Sequence, residues 1–172
     1  MKNKDIISTF FKGKSVLISG GTGSFGSNFA RTLLKLAKPK KIVIFSRDEL
    51  KQYEMAKQLP EDKYPIRYFI GDVRDRQRVF RACHGIDIII HAAAMKHVPF
   101  VESFPFNAIK TNVIGTFNLL SLSKKHKVKL LINISSDKAV NPTNIMGMTK
   151  RLNELYIQFY ANKYNLNYQS VR

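Results

Sequence analysis

Residues 135–150, SSDKAVNPTNIMGMTK, contain the side chains best suited to proton transfer. Asp137 and Lys138 follow an apolar run, and Lys150 lies twelve residues after Lys138. A carboxylate and two amines can serve as general acid and base when burial and neighbouring charges shift their pKa values. Met146 lies four residues before Lys150, on the same face of a predicted helix, and its thioether has no proton to exchange. The segment therefore predicts an acid–base site in which an apolar side chain faces one of the amines.

Apolar runs rich in β-branched residues predict the strands that would position this site. Most are continuous rather than alternating, which is typical of strands buried on both faces. They cover residues 15–19, 41–45, 66–70, 86–91, 129–135 and 167–171. Stretches of helical period lie between them, at residues 29–37, at residues 107–125 and after Asn144. Strand alternating with helix predicts an α/β fold, a Rossmann-type doubly wound parallel sheet with helices on both faces and strand order 3-2-1-4-5-6.

The length of 172 residues is about that of one domain. The run at residues 167–171 is predicted to be the sixth strand, and the sequence stops at Arg172 directly after it. We therefore predict one NAD(P)-binding domain over residues 1–172, the N-terminal half of a longer protein whose C-terminal substrate domain is absent from this chain.

The turn after the first strand, in SGGTGSFGSNFA, is predicted to bind a pyrophosphate. Gly20, Gly23 and Gly26 fit G-x-x-G-x-x-G, and Gly21, Gly23 and Gly26 also fit G-x-G-x-x-G. Glycines allow a tight turn, let the backbone approach the phosphates and bring helix close to strand, while the helix N-terminus faces the anion. The predicted contacts are Gly20, Thr22, Gly23, Ser24, Phe25 and Gly26.

The end of the second strand, about 20 residues past the last glycine, should contact the adenosine ribose. An acid there would repel a 2′-phosphate, whereas Ser46 and Arg47 offer a hydroxyl and a guanidinium suited to phosphate. NADP is therefore favoured over NAD. The alternative is that Arg47, Asp48 and Glu49 only begin the next helix.

Two further strand ends complete the predicted cofactor site. Asp72, followed by Val73, could accept a hydrogen bond from the adenine amino group, or could instead cap the following helix. The fourth strand runs into Ala92, Ala93 and Ala94, whose small side chains let a flat cofactor lie against the backbone.

Six motifs in order give the chain a resemblance to a known family: GGTGSFG, SRDELKQ, GDVRD, HAAAMKHVP, KTNVIGT and SSDKAVNPTNIMGMTK. The chain resembles the extended short-chain dehydrogenases/reductases and, within them, the UDP-N-acetylglucosamine 4,6-dehydratases of the CapD-like polysaccharide biosynthesis group. The resemblance implies an NADP-dependent hydro-lyase that oxidises sugar C4, removes the C5 proton and the C6 hydroxyl as water, and returns the hydride to C6. The product would be a UDP-4-keto-6-deoxy sugar for polysaccharide or glycan biosynthesis.

The resemblance also implies roles for individual residues. Ser136 would hydrogen-bond near the C4 oxygen of the substrate, Asp137 would protonate the leaving C6 hydroxyl, and Lys138 would remove the C5 proton. Lys150 would bind the nicotinamide ribose and supply positive potential, and Lys96 would contact the substrate or the cofactor.

The family's usual Tyr-x-x-x-Lys element reads Met146-Gly147-Met148-Thr149-Lys150 here, so no tyrosine can accept the proton of the C4 hydroxyl. In this respect the chain resembles some members of the dehydratase family, which also carry methionine at this position. We hypothesise that Asp137, through Ser136, accepts the C4 proton and then delivers it to the C6 oxygen. The alternative is a degenerate, inactive site.

Two other functions stay open. A UDP-sugar 4-epimerase would share the C4 oxidation, but it needs no acid–base pair for C5 and C6, so Asp137 and Lys138 favour dehydration. A non-catalytic NADP-binding module is the alternative from a different class. Because the resemblance places most substrate contacts in the C-terminal half, this chain alone is predicted to be inactive.

The net charge of +17 raises the question of an acidic partner. The densest basic runs, residues 38–41 and 124–129, lie between a helix end and the next strand, which places them at the sheet edge opposite the site. Cations at helix C-termini are favoured by the macrodipole. No recognition motif or stacking cluster supports nucleic-acid binding, whereas loose attraction to an anionic membrane surface stays open.

The cysteines and histidines of the sequence indicate which cellular compartment and which metal cofactors are compatible with the chain. Cys83 is the only cysteine, which excludes an internal disulfide and fits the cytoplasm or its membrane face. The cysteine and histidine spacings match no zinc site, so no metal is predicted. No apolar run reaches the roughly 20 residues that a membrane span needs. From the resemblance we also expect a UDP-sugar substrate and a homo-oligomer in the longer protein.

Overall fold

The structure, a computed structural model, describes residues 3–172. Six strands form one sheet in the order β3-β2-β1-β4-β5-β6, and every neighbouring pair is parallel. The strands are β1 (Ser15–Ser19), β2 (Lys41–Ser46), β3 (Ile66–Ile70), β4 (Ile88–His91), β5 (Leu130–Ile134) and β6 (Asn167–Val171). The predicted α/β class and strand order are confirmed.

Helices connect the strands and cover both faces of the sheet. Along the described residues the α-helices are α1 (Asn3–Phe11), α2 (Ser24–Leu36), α3 (Glu49–Gln58), α4 (Arg76–Ala82), α5 (Val98–Ser103), α6 (Pro105–Ala108), α7 (Gly115–Lys125) and α8 (Ile145–Tyr164). A π-helical segment (Ile109–Ile114) joins α6 to α7, and a 3₁₀ turn (Asp137–Ala139) follows β5. Within this part of the chain, no helix is both long and apolar enough to cross a membrane.

Alternate side chains of each strand enter two apolar layers, one on each face of the sheet. Leu17 aligns with Val43 and with Ile89, and these side chains pack with Leu131 in one layer. The other layer is built from the intervening residues, Val16, Ile18, Ile42, Ile44, Ile88 and Ile90. Burying each such side chain contributes roughly 1.5–3 kcal/mol. Burial on both faces explains why the strands are continuous apolar runs.

The helix boundaries differ from the sequence prediction in two places. The single helical stretch predicted for residues 107–125 is divided into α6, the π-helical segment and α7. The extra residue of the π turn lets the Asn112 side chain pair with the Met95 backbone, donating to its carbonyl at 3.1 Å and accepting from its N–H at 2.8 Å. Helices α1 and α5 were not predicted. Helix α1 precedes the first strand and so lies outside the alternation of strand and helix, and α5 has only six residues, too few to show a helical period.

The parallel arrangement separates the two edges of the sheet by function. The carboxyl ends of β1 to β5 share one edge, where open α/β sheets bind ligands. The basic runs lie at the opposite edge, as predicted. There the Lys129 N–H donates to the Asp87 carbonyl at 2.9 Å, and the Gly13 N–H donates to the Lys38 carbonyl at 3.0 Å.

Candidate functional site

A cleft of about 550 Å³ runs along the carboxyl edge of the sheet. The residues that line it come from the loops after β1 to β5 and from the first turns of α8. The residues predicted for cofactor or substrate line this cleft: Gly20, Thr22, Gly23, Ser24, Phe25, Gly26, Ser46, Arg47, Asp72, Val73, Ala92, Ala93, Ala94, Lys96, Ser136, Lys138 and Lys150. Asp137 does not line it.

The glycine turn has the geometry that a pyrophosphate needs. Gly20 has a positive φ of 69°, and a side chain there would come within 2.7 Å of the Ala93 nitrogen. A side chain at Gly26 would meet the Gly20 carbonyl oxygen at 2.5 Å. Gly23 caps α2 without a side chain, so the first N–H groups of this 13-residue helix face the cleft uncovered. The residues present therefore fit a dinucleotide phosphate.

Asp72 at the end of β3 is held by an arginine. Arg74 donates two hydrogen bonds to its carboxylate, at 3.0 and 2.7 Å. Burial pushes the pKa of Asp72 upward, but the hydrogen bonds from Arg74 and its charge outweigh that effect and lower the pKa overall. The alternative that Asp72 caps α4 is wrong, because Asp75 takes that position and accepts from the N–H groups of Gln77 and Arg78.

The end of β2 presents a fixed hydroxyl beside exposed cations. Ser46 is buried, and its Oγ accepts a hydrogen bond of 3.0 Å from Gln52, which leaves the hydroxyl proton available to a ligand. Asp48 caps α3 by accepting from the Lys51 N–H at 3.0 Å, so the helix-start alternative holds for this carboxylate. Arg47 and Lys51 both line the cleft.

Lys150 is the buried amine of the site. Only 7% of the residue is exposed, and Nζ donates to the Ile134 carbonyl at 2.8 Å. Burial lowers the pKa of Lys150 to about 8, against an opposing effect of Glu154, which lies one helical turn further along α8. The amine therefore loses its proton more readily than an exposed lysine does, and it lies at the end of β5, just before Ser136.

Asp137 lies at the rim of the cleft with 84% of its side chain exposed. Its Oδ1 accepts a 2.9 Å hydrogen bond from Ser136 Oγ and lies 3.5 Å from Lys138 Nζ. The Ser136 hydrogen bond, with smaller effects from Lys138, lowers the pKa of Asp137. The sequence left the direction of this shift open. In the structure the carboxylate is anionic, which is the state that accepts a proton.

The first turn of α8 is held on two sides, by Met146 against α5 and α6 and by Gly147 against the loop that carries the acid–base pair. Met146 is 3% exposed and packs with Val101 and Ala108, so its thioether fills an apolar position beside the cleft. A side chain at Gly147 would strike the Lys138 carbonyl, so the helix and the loop approach as closely as two backbones can. The apolar residue thus adds to the burial of the helix face that bears Lys150.

Thr111 and Ser135 are among the cleft residues that were not predicted from the sequence. Thr111, on the π-helical segment, is buried, and its hydroxyl has no partner among residues 3–172. Ser135 donates to Glu154 at 2.7 Å. A run of small and polar residues after a strand was the available signal for Ser135. Nothing in the sequence predicts a role for Thr111, because the π turn that places it beside the cleft depends on tertiary contacts.

Glu154 joins the end of β6 to the loop that follows β5. Arg172 donates to both of its carboxylate oxygens, at 2.9 and 2.7 Å. These hydrogen bonds lower the pKa of Glu154 to about 2, despite its burial. The pair therefore stays charged and holds Ser135 in place.

The family described as "Polysaccharide biosynthesis protein" matches residues 16–172 of the chain. The chain belongs to this family. The resemblance inferred from the six motifs is thereby confirmed. Across the residues that the structure describes, no group of three His, Cys, Asp or Glu side chains is arranged to hold a metal ion.

The curated relatives include enzymes of two activities. A UDP-N-acetylglucosamine 4,6-dehydratase (inverting) from Campylobacter jejuni is 51% identical over 140 residues, which cover 81% of this chain and 41% of that protein. A UDP-glucose 4-epimerase from Rickettsia canadensis is 45% identical over 147 residues, which cover 84% of this chain and 42% of that protein. The chain thus spans less than half the length of these relatives.

The X-ray structure of Pen from Bacillus thuringiensis has a similar fold. It superposes with a TM-score of 0.90 at 41% identity, over 95% of this chain and 50% of Pen. The chain therefore shares a Rossmann-type domain with relatives that include a nucleotide-sugar dehydratase and a nucleotide-sugar epimerase.

The burial of Lys150 predicts a pH-dependent stability. The pKa of its amine falls from 10.5 to about 8 on folding. Between pH 8 and pH 10.5 the unfolded chain binds more protons than the folded chain, so the free energy of unfolding rises with pH in this range. Below pH 8 the destabilisation caused by burying the charged amine is present in full. Relative to Lys150→Met, the parent chain should gain about 2–3 kcal/mol between pH 7 and pH 10 in urea unfolding. The exposed control Lys110→Met should show no such trend, and a constant difference for Lys150→Met would contradict the assignment.

Proposed function

We propose that the protein containing this chain is an NADP-dependent nucleotide-sugar 4,6-dehydratase, a hydro-lyase that acts on UDP-N-acetylglucosamine. One observation carries the proposal. The tip of β5 presents Ser136 and Lys138 to the same cleft as the glycine turn, with Asp137 at its rim. A general acid and a general base beside a dinucleotide site are what elimination of water from a sugar requires.

In this proposal each group near β5 has a defined proton to hold or move. A bound nicotinamide dinucleotide supplies the hydride acceptor and donor. Ser136 orients the C4 hydroxyl and passes its proton to the anionic carboxylate of Asp137, which already accepts the Ser136 hydrogen bond. Lys138, in its neutral amine form, removes the C5 proton, and Asp137 returns the proton taken from C4 to the departing C6 oxygen. Lys150 binds the ribose hydroxyls, and Lys96 contacts the sugar nucleotide.

A UDP-sugar 4-epimerase is the second candidate, because an epimerase of Rickettsia canadensis is 45% identical to this chain. The dehydratase is favoured by the acid–base pair at the strand tip. Lys138 Nζ lies 3.5 Å from the Asp137 carboxylate, so the two groups needed at C5 and C6 are adjacent.

A cytoplasmic location is part of the proposal, and the single cysteine, Cys83, fits it because one cysteine cannot form an internal disulfide. A homo-oligomer of the longer protein remains a prediction. It is supported by exposed large apolar side chains on neighbouring helices, among them Phe100, Phe106, Phe117 and Phe159.

The reaction product tests the proposed activity. The full-length protein, incubated with NADP⁺ and UDP-N-acetylglucosamine, should give a product that is lighter by one water in mass spectrometry. An unchanged mass with an altered C4 configuration would replace the dehydratase by the epimerase. No change in the sugar would leave a non-catalytic dinucleotide-binding module.

The role of Asp137 can be tested separately from the overall turnover. In the full-length protein, Asp137→Asn should abolish the transient absorbance of reduced nicotinamide that reports C4 oxidation, a loss of at least about 100-fold for a proton acceptor. Asp62→Asn, an exposed change at the opposite edge, is the matched control and should keep the signal. Unimpaired C4 oxidation in Asp137→Asn would show that another group accepts this proton.

The preference for NADP follows from the cations at the end of β2. Arg47→Ala should weaken NADP binding by roughly 10- to 100-fold, because charge-assisted hydrogen bonds contribute about 1.5–3 kcal/mol, and should leave NAD binding nearly unchanged. Isothermal titration calorimetry measures both constants. Arg67→Ala, on β3 and facing away from the cleft, serves as control. Equal losses for NADP and NAD would place Arg47 away from the 2′-phosphate.

A further inference from the structure

Ten lysines form a basic surface at the sheet edge opposite the cleft. We call it the amino-edge face, because its residues lie in or beside the loops that lead into the strands. All ten are exposed or half-buried: Lys12, Lys14, Lys38, Lys40, Lys41, Lys63, Lys124, Lys125, Lys127 and Lys129. Three acidic side chains share these loops, namely Glu61, Asp62 and Asp87. Ten lysines against three carboxylates leave an excess of seven positive charges on this side of the molecule, out of the net charge of +17.

The acidic side chains do little to neutralise this face. Asp87 pairs with Lys129 at 2.9 Å, and Glu61 lies 3.9 Å from Arg67. Beside them a hollow of about 310 Å³ is lined by Lys40, Lys41, Arg67 and His84. A concave site surrounded by cations has the size and charge to accept a phosphate group.

Lys127 adds a second, independent observation. Its φ is 57°, in the left-handed region that residues other than glycine and asparagine rarely adopt. The neighbouring turns into β1 and β4 use glycine for the same conformation, Gly13 with φ of 70° and Gly85 with φ of 66°. Lys127 thus occupies a position where glycine would be the less strained residue, and its exposed ammonium group extends the basic surface.

We propose that the amino-edge face docks on the anionic surface of a lipid bilayer and leaves the cleft turned away from it. Each lysine near such a surface strengthens binding about fivefold, and no defined geometry is needed. The inference goes beyond the proposed dehydratase activity and does not depend on it.

The composition of the face favours a bilayer over a nucleic acid. Nucleic-acid sites rely on arginine forks and on open aromatic rings for stacking. Here the cations are almost all lysines, in or beside the loops that lead into the strands. The exposed ring of Phe80 is covered by His126, with centroids 4.6 Å apart, and by the Lys125 amine at 5.0 Å. Tyr64, which is exposed beside these lysines, can instead lie at the level of the lipid headgroups, where aromatic side chains are enriched.

Vesicle binding tests the proposal with the 172-residue chain. The chain should co-sediment with phosphatidylcholine vesicles that contain about 30% phosphatidylglycerol, fail to bind pure phosphatidylcholine, and dissociate at about 0.5 M salt. Lys125→Gln/Lys127→Gln should weaken binding by roughly 25-fold. The matched control Lys96→Gln/Lys110→Gln removes the same charge outside the amino-edge face and should stay within about twofold. Equal losses in both pairs, or tighter binding to duplex DNA than to the anionic vesicles, would overturn the proposal.

Lys127→Gly separates membrane binding from folding. The change relieves the left-handed strain, so the melting temperature should rise by about 2–4 °C while vesicle binding weakens about fivefold. A variant that melts higher and binds less cannot owe its loss of binding to misfolding. A variant that melts higher and binds as tightly as the parent would show that the cation at this position has no role at the membrane.

Discussion

The site depends on the close packing of the glycine turn against the chain that follows β4. Gly20 has no room for a side chain beside Ala92 and Ala93, and Gly26 has none beside the Gly20 carbonyl. These approaches bring the N-terminus of α2 to the carboxyl edge of the sheet, where its N–H groups face the cleft. A larger residue at either glycine would displace the helix from the sheet, and the phosphate end of the cleft would be lost.

A second clamp acts at the other end of the cleft, where α8 meets the tip of β5. Gly147 packs on the Lys138 carbonyl, and Lys150 Nζ binds the Ile134 carbonyl on the strand. The Asn144 side chain caps the helix by accepting from the Gly147 N–H at 2.8 Å. Helix α8 and the tip of β5 are therefore held together, so Lys150 and the residues that follow β5 keep a fixed distance although they are far apart in the sequence. This rigidity explains how a buried amine and an exposed carboxylate can share one site.

The sheet, its strand order and most of the cleft could be predicted from the sequence, because periodicity and glycine spacing are local signals. The division of residues 107–125 could not, since the π turn accompanies a contact between the Asn112 side chain and the Met95 backbone, which lies 17 residues away in the sequence. The capping residue of α4 was missed for a similar reason, because Asp72 and Asp75 are both suitable and only Arg74 decides between them. The exposure of Asp137 likewise depends on packing, which the sequence does not encode locally.

The charge state of Asp137 connects the geometry to the proposed reaction. An exposed, anionic carboxylate suits a proton acceptor, whereas the delivery of a proton to a leaving hydroxyl requires the protonated form. A sugar bound over Ser136 would remove water from the carboxylate and raise its pKa, and the proton taken from C4 would then stay on Asp137 until the C6 oxygen departs. The low pKa of Asp137 in the open cleft and its role as an acid with sugar bound thus belong to successive states of the same carboxyl group. Met146 suits this arrangement, because an apolar side chain beside Lys150 does not compete with Asp137 for the C4 proton.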